Sequence, residues 1–366
     1  MKVDAGGLQL VAMREDRGRF AALRDRRILI YWPHGLGDWV HFGFIAPLLE
    51  PSNAYAITRF GDDYVTLMEG NGIVVPILSD VRAPTDGSEC GARHLGMTQR
   101  RCNGGNVRLE LPEPIAKGLR SFAPDALLWT DYPETEGNTR YPFHTKARNL
   151  ARLLVPAQRL ASFDLSVPLK NSIDFAPDPE AARLVDERLA AFASPQHRLG
   201  VISRSGVTAA RKNWGDGTEA RAFVTGMRAG VRGWRFISMD DEDLGPGVAG
   251  FRELFANVDR PFAHLYKALA QRIDLFVGIP AGPLHFTLAR GGVPTVGIWT
   301  AHHPDWYDEP NPAAIHLVGR YVRDRGFDRR PASATKPASL RHRLEYLDSH
   351  AIPAEAAMEA ARVLIG

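Results

Sequence analysis

The segment DLFVGIPAGPLHFTLARGGVPTVGIW, residues 274–299, contains two apolar runs separated by a stretch of helix length. Leu275–Ile279 and Val293–Trp299 are predicted to be strands, because short apolar runs bounded by glycine and proline are typical of buried strands. Pro283–Arg290 is predicted to be a helix that begins with a proline, which is favoured in a first turn. A strand, a helix and a strand in this order predict a βαβ unit of a parallel sheet.

The same alternation extends to both sides of this segment. Leu199–Ser203 and Trp234–Met239 are predicted strands, and helices are predicted near 216–229 and over Pro261–Gln271. The first half of the chain repeats the pattern less regularly. Its predicted elements are strands at 27–32, 54–58 and 125–129, an apolar run at 73–78 and a helix at 39–49. The alternation predicts an α/β fold with parallel sheets.

The length of 366 residues predicts about two domains, each large enough for its own core. A linker is predicted at Ser166–Glu180, which carries three prolines and little periodicity. We therefore expect an N-terminal domain over 1–170 and a C-terminal domain over 171–350, with a cleft between them. Residues 351–366 are expected to form a helix that packs back on the domains, and 82–114 to form a long loop or insertion.

The composition is that of an ordinary globular protein, with 45% hydrophobic and 24% charged residues. A formal net charge of +3 does not indicate nucleic-acid binding as the main function. Cys90 and Cys102 are too few for a disulfide scaffold, so the sequence indicates a cytosolic protein. Together with His94 they lack a fourth ligand at a zinc-site spacing, and two ordinary loop cysteines are the favoured interpretation.

The sequence offers no clear membrane or secretion signal. The first 27 residues are charged and lack the continuous apolar stretch of a signal peptide. The two longest apolar tracts, 28–49 and 275–299, are broken by Gly, Pro and ionisable residues, which favours buried α/β core over membrane helices. We expect a cytoplasmic protein without a transmembrane segment, and peripheral contact with the inner membrane stays open.

Ligands of open α/β sheets bind at the carboxyl ends of the strands, so the loops that follow the predicted strands are the candidate sites. The first of them contains Gly35-Leu36-Gly37-Asp38. The dinucleotide-binding fingerprint would need a third glycine where Val40 stands, which disfavours a Rossmann dehydrogenase. Asp38 and His41 are three residues apart and therefore share one face of the predicted helix, where both can point at a ligand. The alternative is that Asp38 only caps the helix.

Two later loops are suited to a diphosphate. The loop 204–214 carries Arg204, Arg211 and Lys212 together with small hydroxyl residues, and charge-assisted bonds to phosphate are strong. It lacks the spacing of a P-loop, and a solvated basic loop is the alternative. In the loop 280–285, Gly282 and Pro283 predict a sharp helix start, whose amides and dipole favour an anion. His285 either contacts a phosphate there or is structural.

A third loop, Asp240-Asp241-Glu242-Asp243, leaves three interpretations open. It contains the D-x-D pattern with which one large fold class of metal-dependent sugar transferases binds a metal and a nucleotide. It is also compatible with a solvated acidic turn. Finally, one of its carboxylates can receive ribose hydroxyls, as acidic residues at strand ends do in nucleotide-binding domains.

Taken together, these loops resemble those of glycosyltransferase family 9, the ADP-heptose:lipopolysaccharide heptosyltransferases. RILIYWPHGLGDWVHF (27–42) resembles that family's opening strand, loop and helix, and SRSGVTAARKNW (203–214) resembles its donor loop with a Lys-x-Trp element. Residues 274–299 resemble its most characteristic segment. The chain differs from the family at Pro280-Ala281, where an acidic residue and a hydroxyl residue usually stand, and at 300–304, where a Gly-Pro-Thr-Asp-Pro-like loop usually stands.

The resemblance implies a GT-B fold, in which two Rossmann-like α/β domains with parallel sheets face each other across a cleft. It implies that Asp38 is the catalytic base on the acceptor side, where the other candidate residues are His34, Gly35, Gly37 and His41. On the donor side it implies a diphosphate site, whose candidate residues are Arg204, Ser205, Arg211, Lys212, Gly282, Pro283, Leu284 and His285. Asp240 falls where the family has an acidic residue for the nucleoside.

The activity implied by the resemblance is inverting, metal-independent glycosyl transfer without a cofactor. A heptose-like sugar or another hexose would move from a nucleotide-diphosphate sugar to a hydroxyl of a glycan, a lipid-linked acceptor or another molecule, as in lipopolysaccharide biosynthesis. One alternative is a sugar-nucleotide epimerase or hydrolase of the same fold. Others are a non-catalytic nucleotide- or glycan-binding relative and a metal-dependent transferase that uses Asp241 and Asp243.

Overall fold

Parallel β-sheets organise both halves of the chain, which confirms the predicted α/β class. The computed structural model describes residues 9–12, 28–31, 36–45, 56–58, 98–101, 107–110, 126–129, 173–206, 210–230, 233–301, 303–304, 311–324 and 343–366. The chain divides into two units. The first comprises Met1–Asp164 and Leu169–Asp174, and the second comprises Leu165–Pro168 and Phe175–Gly366.

The first unit contains a parallel sheet with the strand order β1-β6-β2-β3. Its strands are β1 (Gln9–Ala12), β2 (Ile28–Tyr31), β3 (Ala56–Thr58) and β6 (Ala126–Trp129). The strands expected at 27–32, 54–58 and 125–129 are thus confirmed. Helix α1 (Leu36–Ile45) follows β2 and begins three residues before its predicted start, because the glycine of the Gly-Asp pair lies inside the helix.

Two departures from the expected elements occur in this unit. The stretch 82–114, expected to be a loop, contains an antiparallel pair formed by β4 (Thr98–Arg101) and β5 (Val107–Glu110). Strand β4 is polar throughout and gives no strand signal, whereas β5 alternates apolar and polar residues, a strand signal that the sequence analysis did not use. Strand β1 was not expected either. The apolar run at 73–78 lies outside the described residues.

The second unit contains a parallel sheet with the strand order β13-β12-β11-β10-β7-β8-β9. Its strands are β7 (Arg198–Ser203), β8 (Trp234–Ser238), β9 (Val248–Gly250), β10 (Leu275–Gly278), β11 (Thr295–Trp299), β12 (Ala314–Val318) and β13 (Arg343–Tyr346). Strands β10, β11 and β12 are buried along their whole length. The βαβ unit predicted from 274–299 therefore lies at the centre of this sheet and is confirmed.

Helices cover this sheet. They are α2 (Pro179–Phe192), α3 (Thr218–Gly230), α4 (Phe251–Leu254), α5 (Phe262–Leu269), α6 (Gly282–Arg290), α7 (Arg320–Asp324) and α8 (Ala354–Ile365). Helix α2 begins inside the stretch interpreted as a linker. Pro179 occupies its first turn and Asp178 caps it by accepting from the Ala181 amide at 2.9 Å, so this proline starts a helix instead of marking a loop.

The C-terminal helix α8 packs on α3 and on strands β10, β11 and β12 of the second unit. Its alanines Ala354, Ala357, Ala360 and Ala361 are buried in the same core cluster as Trp214 and Phe236. The end of the Met358 side chain on α8 lies against Gly226 of α3 and would have to move if that glycine carried a side chain. Among the helices that the structure describes, none is long and apolar enough to cross a membrane.

Candidate functional site

The first candidate region is the junction between β2 and α1. Helix α1 begins at Leu36, so Asp38 lies within its first turn and not at the position before it. Every residue from 36 to 43 is buried except Asp38, which is half-buried. The side chains around it, Trp39 and Phe42, are fully buried. Asp38 is thus a carboxylate at the positive end of an otherwise embedded helix, where its negative charge is favourable.

Of the other candidate residues on the acceptor side, the structure describes His41 and Gly37, and both are buried. His41 lies one turn after Asp38 on α1 and is only 3% exposed, so its ring belongs to the interior of the first unit. Gly37 is buried in the first turn of the same helix. His34 and Gly35 lie outside the described residues.

The second candidate region is the carboxyl edge of the seven-stranded sheet. Strands β8, β7, β10 and β11 are consecutive in it, so the loops that follow them lie side by side. Two contacts join three of these loops. The hydroxyl of Thr300 donates to the carbonyl of Arg211 at 3.0 Å. A Cβ atom at Gly206 would be 3.4 Å from Ile279 Cδ1 and 4.0 Å from the Cβ of Ala281, so the backbone after β7 lies against the turn after β10.

The loop after β7, residues 204–214, is closed by its own hydrogen bonds. The amide of Trp214 donates to the carbonyl of Arg204 at 2.8 Å, and the amide of Gly206 donates to the side chain of Asn213 at 3.1 Å. Within it, Ala210–Lys212 forms a 3₁₀ turn. Arg211 is exposed at this turn and Lys212 is half-buried. Both cations are therefore presented on a backbone that is fixed at its two ends.

Asp240 connects the ends of two neighbouring strands. Its Oδ2 atom accepts from the amides of Arg204 at 2.6 Å and Ser205 at 2.9 Å. Burial raises the pKa of this carboxyl above its ordinary value, and the two amide hydrogen bonds oppose that rise. The carboxylate predicted to contact a nucleoside thus holds the backbone of the basic loop through one of its oxygens.

The side chain of Arg204 also has partners within the protein. Its Nε group pairs with the carboxylate of Glu242, and its Nη1 group donates to the carbonyl of Gly215 at 3.1 Å. The guanidinium is only 15% exposed. The charge of Arg204, one of the cations predicted to contact phosphate, is therefore already balanced by a neighbouring carboxylate.

The remaining carboxylates of the acidic turn have protein partners as well. Asp241 accepts from the amide of Arg252 at 2.6 Å and pairs with its guanidinium at 3.3 Å. Asp243 accepts from the amide of Gly245 at 2.9 Å. In the ranges that the structure describes, no three His, Cys, Asp or Glu side chains are grouped as ligands for a metal ion. The carboxylates of this turn therefore connect neighbouring loops of the protein. None of the three interpretations of the sequence included this structural role.

The turn after β10 starts helix α6 without a side-chain cap. Ala281 occupies the N-cap position in extended conformation, Pro283 lies in the first turn, and that turn contains no acidic residue. The helix start therefore presents backbone amides and the positive end of the helix dipole without a competing carboxylate. Leu284 is fully buried. These are the properties that favour a bound anion.

Buried side chains fix this helix start from behind. The hydroxyls of Tyr266 and Thr287 donate to the carbonyl of Pro283 at 3.1 and 2.8 Å, and they lie 2.9 Å from each other. His285 is 4% exposed and its ring stands edge-on to Trp299, with centroids 6.4 Å apart. Its side chain is therefore part of the packing beneath the turn.

Sequence reasoning missed Tyr266, Thr287 and Trp214 as contributors to the site. Tyr266 follows the apolar periodicity of α5, and nothing in that pattern shows that its hydroxyl reaches another helix. Thr287 and Trp214 lie within motifs that were identified, but their hydrogen-bond partners are 4 to 138 residues away in sequence. A single sequence contains no signal for the more distant of these partners.

No protein-family model matches the sequence, and no curated protein matches it. Solved structures do. A glycosyl transferase of family 9 from Veillonella parvula matches 94% of this chain and 98% of its own, with 14% identity and a TM-score of 0.52. The ADP-heptose lipopolysaccharide heptosyltransferase II of E. coli matches 93% of this chain and 98% of its own, with 10% identity and a TM-score of 0.49. E. coli heptosyltransferase WaaC with ADP-2-deoxy-2-fluoro heptose matches 92% and 99%, with 11% identity and a TM-score of 0.46.

The likeness to the Veillonella structure covers nearly the whole of both chains. At 14% identity it is evidence about the fold, and the two scores below 0.5 add no argument of their own. The resemblance predicted from the motifs is thereby confirmed at the level of architecture: this chain has the GT-B fold of glycosyltransferase family 9.

Proposed function

We propose that this protein is an inverting, metal-independent glycosyltransferase that uses a nucleotide-diphosphate sugar as its donor. The observation that carries the proposal is the grouping at the carboxyl edge of the seven-stranded sheet. There, the cationic turn Ala210–Lys212 is tied to Thr300, and the backbone at Gly206 lies against the uncapped start of α6. Cations and a bare helix N-terminus on neighbouring loops are suited to a diphosphate.

On the donor side, we assign the diphosphate to Lys212, Arg211 and the backbone amides at the start of α6. Arg204 and Ser205 contribute their backbone to the same loop, since the guanidinium of Arg204 is paired with Glu242. Asp240 remains the candidate for a nucleoside contact through the oxygen that does not hold the loop. These groups would balance the negative charge that builds up on the departing diphosphate.

On the acceptor side, we assign the general base to Asp38. Its carboxylate would accept the proton of an acceptor hydroxyl while that oxygen bonds to the anomeric carbon. The bond between the anomeric carbon and the diphosphate oxygen breaks, and the nucleoside diphosphate leaves from the opposite face. One displacement of this kind inverts the anomeric configuration. The buried side chain of His41, one turn after Asp38 on α1, would support Asp38 in its role as the base.

The sugar and the acceptor are the finer parts of the proposal. Because the motifs of this chain resemble those of the ADP-heptose:lipopolysaccharide heptosyltransferases, we propose a heptose-like sugar or a hexose as the transferred group. A glycan or lipid-linked hydroxyl is the proposed acceptor. The cytoplasm, where nucleotide sugars are made, is the proposed location.

The proposal is tested by release of nucleoside diphosphate from a panel of nucleotide sugars, each with and without a mixture of glycan acceptors. We expect release from one donor that requires an acceptor, a product of inverted anomeric configuration by NMR, and full activity with a chelator present. Conversion of the donor without an acceptor would identify an epimerase or hydrolase instead. Binding of the donor without any turnover would identify a non-catalytic relative, and loss of activity on chelation would exclude the metal-independent mechanism.

A further inference from the structure

We propose that Trp214 is a positioning residue for donor binding, because its indole anchors the cationic turn to the segment that precedes the C-terminal helix. This inference rests on the proposed function, in which Lys212 and Arg211 contact the donor diphosphate. Trp214 follows Lys212 by two residues and ends the loop that begins at Arg204. Its own side chain is fully buried, so it does not contact a ligand.

Three hydrogen bonds help to hold the cationic turn in place. On one side, the carbonyl of Arg211 accepts from Thr300 at 3.0 Å. At the end of the loop, the backbone amide of Trp214 donates to the carbonyl of Arg204 at 2.8 Å. The third bond runs into the core, where the indole Nε1 of Trp214 donates to the carbonyl of Ile352 at 2.7 Å. These bonds attach the turn to the residues that directly follow β11 and β7, and to the segment before α8.

The anchor point at Ile352 is itself fixed. Ile352 is fully buried, and the amide of Ala354, the first residue of α8, donates to the carboxylate of Glu219 in the first turn of α3 at 2.6 Å. Pro353 between them has no amide proton to donate. Trp214 at the end of the loop and Glu219 in the first turn of α3 therefore hold the same short segment.

The indole N–H has a specific task that a ring alone does not fulfil. Trp214 packs edge-on against Phe223 at 5.9 Å between centroids, a contact that a phenylalanine can approximate. A phenylalanine leaves the buried carbonyl of Ile352 without its indole donor, and a buried carbonyl without a donor is costly. The loop then gains by moving toward water, which shifts Lys212 from its place in the cationic turn.

The test compares the affinity of wild type and Trp214→Phe for a nucleoside diphosphate and for the corresponding nucleoside by calorimetric titration. The diphosphate used is the one that binds the wild-type protein most tightly. We expect Trp214→Phe to bind it about five- to tenfold more weakly, with affinity for the nucleoside unchanged. In a Lys212→Ala background, Trp214→Phe should cost no further affinity, because the two residues act on the same contact.

Trp234→Phe is the matched control. Trp234 belongs to the same core cluster, stacks on Phe236 at 5.6 Å, and its indole nitrogen has no hydrogen-bond partner. It should therefore change neither affinity. If Trp214→Phe does not fold, Glu219→Ala loosens the same anchor without altering the buried rings, and a smaller loss specific to the diphosphate is expected.

Four outcomes decide the matter. A loss for the diphosphate alone that disappears in the Lys212→Ala background supports the inference. Equal losses for nucleoside and diphosphate would overturn it, since they indicate a general structural role. Unchanged diphosphate affinity in Trp214→Phe and Glu219→Ala would also overturn it, while the proposed function stands if Lys212→Ala loses affinity. A wild-type protein that binds no nucleoside diphosphate would contradict the proposed function itself.

Discussion

The junction of β2 with α1 and the junction of β10 with α6 use the same backbone device for opposite chemistry. In each, a parallel strand is followed along the chain by a helix whose described side chains are largely buried. The first turn of α1 carries Asp38, the one residue from 36 to 43 that is not buried. The first turn of α6 carries no acidic residue, and Ala281 at its N-cap makes no side-chain hydrogen bond.

The difference shows how one position decides what a helix start can do. A carboxylate in the first turn is itself stabilised by the positive end of the helix dipole, and it presents a negatively charged base. A helix start without one leaves its amides and dipole to an external anion. The first junction thereby keeps a carboxylate in its ionised form, which is the form that a general base needs, and the second is suited to hold a leaving diphosphate.

The largest expected effect follows from removing the charge at the first junction. Asp38→Asn should reduce turnover by about 10²–10⁴-fold, the usual contribution of a general base. Affinity for the donor should be nearly unchanged, because the donor contacts are assigned to the second unit. Turnover and donor affinity are measured in parallel, with Asp259→Asn, an exposed carboxylate without an assigned role, as the control. Full activity of Asp38→Asn would refute the assignment of the base.

The next effect concerns Lys212, the half-buried cation of the turn Ala210–Lys212. Lys212→Ala should weaken binding of the nucleoside diphosphate by about 10–100-fold, since hydrogen bonds to charged groups contribute about 1.5–3 kcal/mol. Affinity for the nucleoside should stay the same. Calorimetric titrations at two salt concentrations provide the check, and Lys212→Arg should retain most of the affinity. Equal affinity for the diphosphate in Lys212→Ala would remove this residue from the site.

A smaller effect is expected from making the second junction resemble the first. Ala281→Asp should cap α6 and stabilise the protein by about 1 kcal/mol, yet weaken diphosphate binding about tenfold, because the carboxylate occupies the dipole and repels the anion. Ala281→Ser is the control, since a hydroxyl caps the helix without a charge and should leave binding unchanged. Melting temperature and diphosphate affinity are measured for both variants. Unchanged binding in Ala281→Asp would place the anion elsewhere.

The smallest effect is a dependence of stability on pH at Asp240. Its pKa is raised in the folded protein by burial, so as the pH rises above the ordinary value of 3.8 the unfolded chain releases the proton first. The carboxyl group's contribution to stability then falls until the folded form is ionised too. Asp240→Asn keeps an oxygen for the two amides and removes this loss.

The melting temperature of Asp240→Asn relative to wild type should therefore increase between pH 4 and pH 7. Scanning calorimetry at several pH values measures the difference. A difference that stays constant, or that decreases toward neutral pH, would contradict the role of burial at this carboxylate.

Most of the central sheet of the second unit was predictable from the sequence. Strands β7, β8, β10 and β11 are runs of apolar residues bounded by glycine, proline or charge, and such runs identify buried strands without further information. Strand β13 was not predictable in this way. It is an edge strand with charged and exposed residues, so its pairing with β12 and not its composition defines it.

The candidate site was predictable only as a set of loops. The rule that ligands bind at the carboxyl ends of parallel strands selected the loops after β7, β8, β10 and β11, and the sheet order brings them together. Their internal contacts were not predictable, because they depend on distant partners. The carboxylates of the acidic turn were open to three interpretations until their contacts with Arg204 and Arg252 were known.

The central claim is that the carboxyl edge of the seven-stranded sheet binds the diphosphate of a nucleotide sugar. Its most direct test is a set of calorimetric titrations with ADP, GDP, UDP, TDP and CDP and their nucleosides, on wild type and Lys212→Ala. We expect one diphosphate to bind at least about tenfold more tightly than its nucleoside, a gain of about 1.4 kcal/mol that Lys212→Ala loses. A protein that binds none of them, or whose preference for the diphosphate survives Lys212→Ala, would contradict the claim.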